Sequence, residues 1–264
     1  MSKPAVLITG ASSGIGAVYA DRFARRGHDV ILVARDVGRL WDLTERLRRE
    51  TGVQAELLVA DLTQAADLAK VEHRLAQDDR IGILVNNAGA ALAGGFTDQT
   101  ADDVATLISL NVTSLTRLTA AVTPRFIAAG GGAIINISSV VGAAPELGMT
   151  VYGATKAFVT YLSQGLQLEL GPKGVYVQAV LPAATRTEIW GRSGGDVNDL
   201  AGVMEVDELV DAALVGFDRR EAVTIPPLPD AGQWIAFQAA RQAMLPNFAH
   251  AHAAERYQVR DAAA

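Results

Sequence analysis

Short apolar runs alternate with amphipathic stretches from residue 5 to residue 225 of this 264-residue chain. The runs at 5–8, 30–33, 55–59, 81–85, 133–137 and 175–181 are rich in Val and Ile and read as apolar on both faces. Strands of that kind lie in parallel sheets covered by helices on both sides. Between them, apolar positions recur at helical spacing over 15–26, 37–51, 65–77, 101–129 and 152–170. Strand then helix, repeated, predicts an α/β fold with right-handed crossovers. The 101–129 stretch is long enough for two helical pieces joined at a bend, and Gly130-Gly131-Gly132 closes it, because glycine takes the left-handed conformation that ends helices. A helix over 206–217 leads to a last strand at 222–225. Pro226-Pro227-Leu228-Pro229 then stops regular structure, and two amphipathic pieces, 230–244 and 247–257, precede an Ala-rich end. The expected organisation is a single domain over 1–264, with a core over 5–225 and a C-terminal helical extension over 226–264.

Composition narrows the function. The net charge is −6 and no long basic run is present, so no nucleic-acid partner is expected. With no cysteine, disulfides, thiolate metal sites and cysteine nucleophiles are excluded together. No stretch reaches the roughly 18 consecutive apolar residues of a membrane helix. The first residues lack the charged-then-apolar order of a secretory signal, and a cytoplasmic location is expected. His250 and His252 near the C-terminus lack companions for a metal site, so no metal is expected.

The chemistry-bearing residues begin after the first strand, where Thr9–Gly16 reads TGASSGIG. Gly10 permits the sharp turn out of the strand, Gly14 lets the backbone approach a pyrophosphate, and Gly16 lets the next helix pack closely on the sheet. The free N–H groups and positive dipole end of that helix suit an anion. At the end of the second strand, a dinucleotide protein reads the adenosine ribose, using an acid for a free 2′-hydroxyl and a base for a 2′-phosphate. Here Ala34 stands in the acid's place and Arg35 follows, which predicts NADP(H) over NAD(H), with Asp36 beside it tempering the preference.

Tyr152 and Lys156 are four residues apart, on one face of a helix, and Ser139 stands thirteen residues before the tyrosine. A nearby ammonium is expected to favour the phenolate and bring tyrosine down from about 10 toward working pH. Together with TGxxxGxG, the Asn86-Asn87-Ala88-Gly89 segment, Asn111 in the long helix and Ser138-Ser139, these motifs resemble the short-chain dehydrogenase/reductase family over residues 5–225.

The resemblance implies a Rossmann-type doubly wound parallel sheet of about seven strands with helices on both faces. It implies a catalytic group of Asn111, Ser139, Tyr152 and Lys156. Ser139 would hold the substrate oxygen, Tyr152 would act as general acid or base, Lys156 would hold the nicotinamide ribose, and Asn111 would steady a kink and a proton-relaying water. Ser138 is expected to bond the backbone. The implied cofactor contacts are Gly10, Ser12, Ser13, Gly14, Ile15, Gly16, Arg35, Asp61, Leu62, Asn87, Ala88, Gly89, Tyr152, Lys156, Pro182, Thr185 and Thr187. Asp61 also reads as an N-cap for the helix after it. Ala183 replaces the glycine the family usually has after Pro182, which displaces that turn slightly. The expected function is reversible, NADPH-dependent reduction of a ketone or aldehyde to an alcohol. Two alternatives are a 3-oxoacyl thioester reductase and a catalytically silent NADP(H)-binding sensor. Substrate choice is expected in 140–150, 189–205 and the tail, with Val141, Leu147, Met149 and Trp190 as apolar wall candidates and the glycine-rich 191–202 segment as a mobile lid. The implied assembly is a homodimer, with a homotetramer as the alternative.

Overall fold

A computed structural model describes residues 3–92, 94–192 and 196–257. Residues up to Pro227 and those from Leu228 onward form two compact units. The first holds seven strands: β1 (Ala5–Thr9), β2 (Val30–Ala34), β3 (Ala55–Val59), β4 (Ile81–Asn86), β5 (Gly132–Ile137), β6 (Val175–Val180) and β7 (Val223–Thr224). All pair in parallel in the order β3-β2-β1-β4-β5-β6-β7. The chain first builds outward from β1 to β3, then returns to add β4 on β1's other side. The carboxyl ends of β1 and β4 therefore flank the point where strand order reverses, the place where open α/β sheets bind ligands.

The helices are α1 (Gly14–Arg25), α2 (Val37–Thr51), α3 (Ala65–Gln77), α4 (Ala101–Ile108), α5 (Leu115–Ala128), α6 (Thr150–Leu170), the short α7 (Ile189–Arg192) and α8 (Val206–Asp218). Period-two alternation along the strands feeds two cores. Val6, Ile8, Val30 and Leu32 face Tyr19 and Phe23 of α1, Leu40 and Leu47 of α2, and Leu209 and Leu214 of α8. Leu7, Ile31 and Val33 face Leu68 and Val71 of α3 and Leu118, Val122 and Phe126 of α5. These side chains are almost fully buried. At about 1.5–3 kcal/mol each, their burial is the main force holding helices to both faces.

The bend expected in 101–129 is present as a six-residue π-helical turn, Ser109–Ser114, between α4 and α5. Gly130 ends α5 at φ +65°, and its N–H donates to the Ile127 carbonyl. One expected cap is corrected: Gln64, not Asp61, precedes the first turn of α3. The Asp61 carboxylate instead accepts from the N–H and hydroxyl of Thr63, at 3.0 and 2.7 Å, in a tight Asx-type turn that uses up its capping geometry.

The second unit holds α9 (Ala231–Gln242), whose first turn is capped by Asp230 accepting from Gly232 N–H at 2.7 Å. Trp234 and Phe237 stack on it with ring centroids 5.3 Å apart. The helix expected over 247–257 is corrected to two short 3-10 segments, Leu245–Ala249 and Glu255–Tyr257. All described residues of 245–257 are exposed, and so short a helix has little stability without a face to bury. Among the described residues, no helix is long and apolar enough to cross a membrane.

Candidate active site

The glycine turn sits at the β1/β4 switch point, and its glycines are required by space as well as by backbone angle. Gly10 and Gly14 have φ of +65° and +54°. A β-carbon on Gly16 would collide with the Gly10 carbonyl and lie 2.5 Å from Asn87 Nδ2. The Asn87 amide donates to the Thr9 and Gly10 carbonyls at 2.9 and 3.2 Å, and Thr9 Oγ1 accepts from the N–H groups of Asn87 and Ala88 at 3.0 Å each. The ends of β1 and β4 are thus knitted into one platform. Ser12 lies within the turn, and Ser13 is the extended residue that precedes α1. Among the described residues, the Ser13 hydroxyl caps no N–H of that first turn. Gly14, Ile15 and Gly16 therefore present an uncapped helix N-terminus, which suits phosphate oxygens.

Arg35 follows β2 and is 71% exposed, with Nη1 3.9 Å from the Asp61 carboxylate at the end of β3. Leu62 beside Asp61 is buried. Asp36 is committed locally: it accepts from Arg39 N–H at 3.0 Å and caps α2.

The four proposed catalytic residues converge near the ends of β4 and β5. Ser139 follows β5; its hydroxyl donates to the Pro182 carbonyl at 3.2 Å and faces the Tyr152 phenol. Burial pushes Tyr152 up to about 12, and Ser139 opposes only part of that rise. Lys156 is buried, with Nζ donating to the Ile137 carbonyl at 2.9 Å and lying 5.5 Å from the centre of the Tyr152 ring. Burial pushes Lys156 down to about 8. The expected lowering of Tyr152 by the ammonium is therefore corrected. Desolvation favours the neutral phenol, and Lys156 directs a proton at the Ile137 carbonyl.

Asn111 lies in the π-turn, where its amide donates to the Ala90 carbonyl at 2.9 Å and to Thr155 Oγ1 at 3.1 Å. Its Oδ1 accepts from Ala90 N–H at 2.9 Å. A β-carbon on Gly89 would lie 3.2 Å from that Oδ1 and 3.6 Å from Lys156 Nζ, so glycine leaves space between amide and ammonium. Ser138 bonds the backbone as expected, donating to the Lys156 carbonyl at 2.7 Å. Met149, three residues before Tyr152, has φ +57°, a strained angle for a residue with a side chain.

After β6, Pro182 leads into a segment pinned by the Thr185↔Met204 bridge. The Thr185 hydroxyl donates to the Ala183 carbonyl at 3.0 Å, and Trp190 Nε1 donates to the Thr185 carbonyl at 2.8 Å. Thr187 returns to the glycine turn: a β-carbon on Gly14 would lie 3.3 Å from its methyl group. Of the wall candidates, Val141, Met149 and Trp190 are half-buried and Leu147 is exposed. Part of the expected lid, 193–195, lies outside the described residues.

Two contributors had no assigned role in the sequence reading. Thr9 ties the two platform segments, and Thr155 holds Asn111 while donating to the Tyr152 carbonyl at 2.7 Å. The position of Thr155, three residues past Tyr152 on the same helix, was the available signal.

A family model described as short chain dehydrogenase matches residues 4–197. The chain is similar to the structure of a short-chain dehydrogenase from Sphingobium yanoikuyae in complex with NADPH, with 68% identity, 97% of this chain and 100% of that chain covered, and a TM-score of 0.95. It is also similar to the bulky-bulky ketone specific alcohol dehydrogenase from Comamonas testosteroni, at 59% identity, 98% and 100% coverage and a TM-score of 0.92. The very-long-chain 3-oxoacyl-CoA reductase-A of Danio rerio is 37% identical over 187 residues, which are 69% of this chain. The matched region spans 58% of that curated relative's length.

Proposed function

The chain belongs to the short-chain dehydrogenase/reductase family, and on that premise we propose that it is an NADPH-dependent oxidoreductase that reversibly reduces a ketone or aldehyde to an alcohol. The observation that carries this reading is the convergence of Ser139, Tyr152, Lys156 and Asn111 beside a glycine turn whose helix N-terminus is uncapped. The residues present fit a dinucleotide: Gly10, Gly14 and Gly16 leave a cradle that β-carbons would fill, and Arg35 offers an exposed cation where the ribose 2′-phosphate is read. The NADPH-bound structure at 68% identity supports the same choice of cofactor.

When bound, NADPH supplies the hydride that reduces the carbonyl carbon. Ser139 and Tyr152 hold the substrate oxygen and polarise it. Tyr152, neutral up to about 12, is in the correct state to donate the proton. Lys156 would hold the nicotinamide ribose, and with Asn111 it would help replace the phenol's proton. Asn87, Ala88 and Gly89 would hold the adenosine side of the cofactor, and Pro182, Thr185 and Thr187 the nicotinamide side.

The similarity to a bulky-bulky ketone specific enzyme makes ketones with two sizeable substituents the first substrate class to test. A second reading, 3-oxoacyl thioester reduction, is favoured by the Danio rerio relative. The test is NADPH oxidation by purified protein across bulky ketones, small aldehydes and 3-oxoacyl thioesters, with NADH as control. Turnover of bulky ketones with NADPH is expected. Tight NADPH binding with no turnover across the panel would favour a silent sensor instead.

We also propose a homodimer paired through α6. Ala154, Phe158, Tyr161, Gly165 and Leu168 fall on one stripe at spacings of four and three, away from Lys156 and Ser163. Phe158, Tyr161 and Leu168 are exposed, the latter two at 79% each. A contiguous apolar stripe of that kind marks an interaction surface.

A further inference from the structure

Two segments that approach the glycine turn from different parts of the chain are tied together by charge. Arg39 lies in the first turn of α2, just after the β2 end that carries Arg35. Glu188 follows Thr187, whose methyl lies 3.3 Å from where a β-carbon on Gly14 would stand. Arg39 Nη1 donates to both carboxylate oxygens of Glu188 at 2.7 Å, across 149 residues of sequence. Its Nε also lies 3.4 Å from the α2 cap, Asp36, which steadies the guanidinium. On its other side, the Glu188 segment is anchored by the Thr185↔Met204 bridge and by Arg186 donating to Glu205 at 2.8 Å. The Thr187–Glu188 stretch is therefore fixed at its base and crosses to α2 through Arg39. Both side chains of the pair are about half exposed, 47% and 48%, so the tie is reversible.

We propose that the Arg39–Glu188 ion pair is a latch across the dinucleotide crevice, holding the Thr187 segment against the glycine turn and setting how fast the cofactor leaves. The proposal rests on the NADP(H) reading above. Arg39 and Glu188 act through Thr187 and the glycine turn, so they are positioning residues. The glycine turn serves the part of the molecule that NADPH and NADH share. The latch therefore acts on both cofactors alike, in contrast to the role proposed for Arg35.

The test is stopped-flow release of NADPH and of NADH from the wild type, Arg39→Gln, Glu188→Gln and the double variant, with thermal melts to confirm folding. An exposed pair of this kind contributes modestly, so each single variant is expected to release both cofactors about threefold faster. For a latch made by the ion pair itself, the double variant is expected to match the singles, with no compounded gain. Raised salt should speed release from the wild type and leave the variants little changed. Equal release rates in all four proteins would overturn the latch. So would a loss confined to NADPH and to Arg39→Gln, which would make Arg39 a 2′-phosphate contact. A wild type that retains neither cofactor would refute the NADP(H) reading itself, and the latch with it.

Discussion

At the scale of single residues, the site sets two acid–base groups away from their ordinary values in opposite directions. Tyr152 is raised to about 12 and Lys156 is lowered to about 8, both by burial. In carbonyl reduction the phenol must be protonated and the ammonium charged. Tyr152 meets its condition throughout the neutral range, whereas Lys156 loses its charge as pH rises through about 8. The reductive kcat/KM is accordingly expected to be flat below about pH 8 and to fall above it, in a pH profile taken at saturating NADPH. A profile that rises through that range would contradict this assignment. Arg35 carries a second prediction. The charge-assisted contact with a 2′-phosphate proposed for it would be worth about 1.5–3 kcal/mol, so Arg35→Ala should cut the NADPH-to-NADH ratio of kcat/KM tenfold or more. An unchanged ratio would place the selectivity elsewhere. That Tyr152, Lys156 and Ser139 lie together was legible in the sequence because their spacing is carried by one helix and the loop before it. The direction of the Tyr152 shift was not, because it depends on how much chain closes over the phenol. The Thr155 bond to Asn111 was equally hidden, since it joins residues 44 apart in sequence.

At the scale of elements, strands and helices of the first unit were legible because both faces of the sheet are covered. The apolar runs of β1 and β2 and the helical period of α2 and α3 leave few alternatives. The π-turn was legible only as a bend, because Asn111 within it bonds to Ala90 and Thr155, which lie 21 and 44 residues away in sequence. Over 247–257 the amphipathic spacing gives only two short 3-10 segments, the first with Pro246 in its opening turn, a local constraint that periodicity does not register. Between α1 and α2, a charge cluster adds to apolar packing. Buried Asp21 accepts from Arg22, Arg25 and Arg46 at 2.9–3.0 Å. Burial alone would raise this carboxyl, but the hydrogen bonds from Arg25, Arg22 and Arg46 outweigh it and hold Asp21 below the usual carboxylate range. A carboxyl lowered in the folded state stabilises fully above its ordinary value of 3.8, and that stability is lost as pH falls through the lower folded value. Asp21→Asn is expected to cost about 2 kcal/mol at pH 7 in urea unfolding, by weakening its hydrogen bonds to the three arginines. The gap from wild type should narrow on acidification below 3.8. A variant as stable as wild type at pH 7 would show the cluster to be energetically neutral.

At the scale of the whole molecule, the strand order converts separate motifs into one site. Glycine turn, Asn87–Gly89 segment and Ser139 follow β1, β4 and β5, which are neighbours in the sheet, so their loops emerge side by side. The proposed α6 pairing belongs to this scale as well. Sedimentation at micromolar concentration should give a dimer for wild type and a monomer for Tyr161→Glu/Leu168→Glu, whose carboxylates would face a partner's apolar stripe. A monomeric wild type would remove the dimer. Carbonyl reduction through Tyr152 is tested by comparing Tyr152→Phe with wild type. NADPH oxidation with a bulky ketone would be followed in parallel with NADPH binding. The variant is expected to bind NADPH within about twofold of wild type and to lose at least a hundredfold in kcat, the usual scale of a general acid. Undiminished turnover in Tyr152→Phe, with cofactor binding intact, would contradict that assignment.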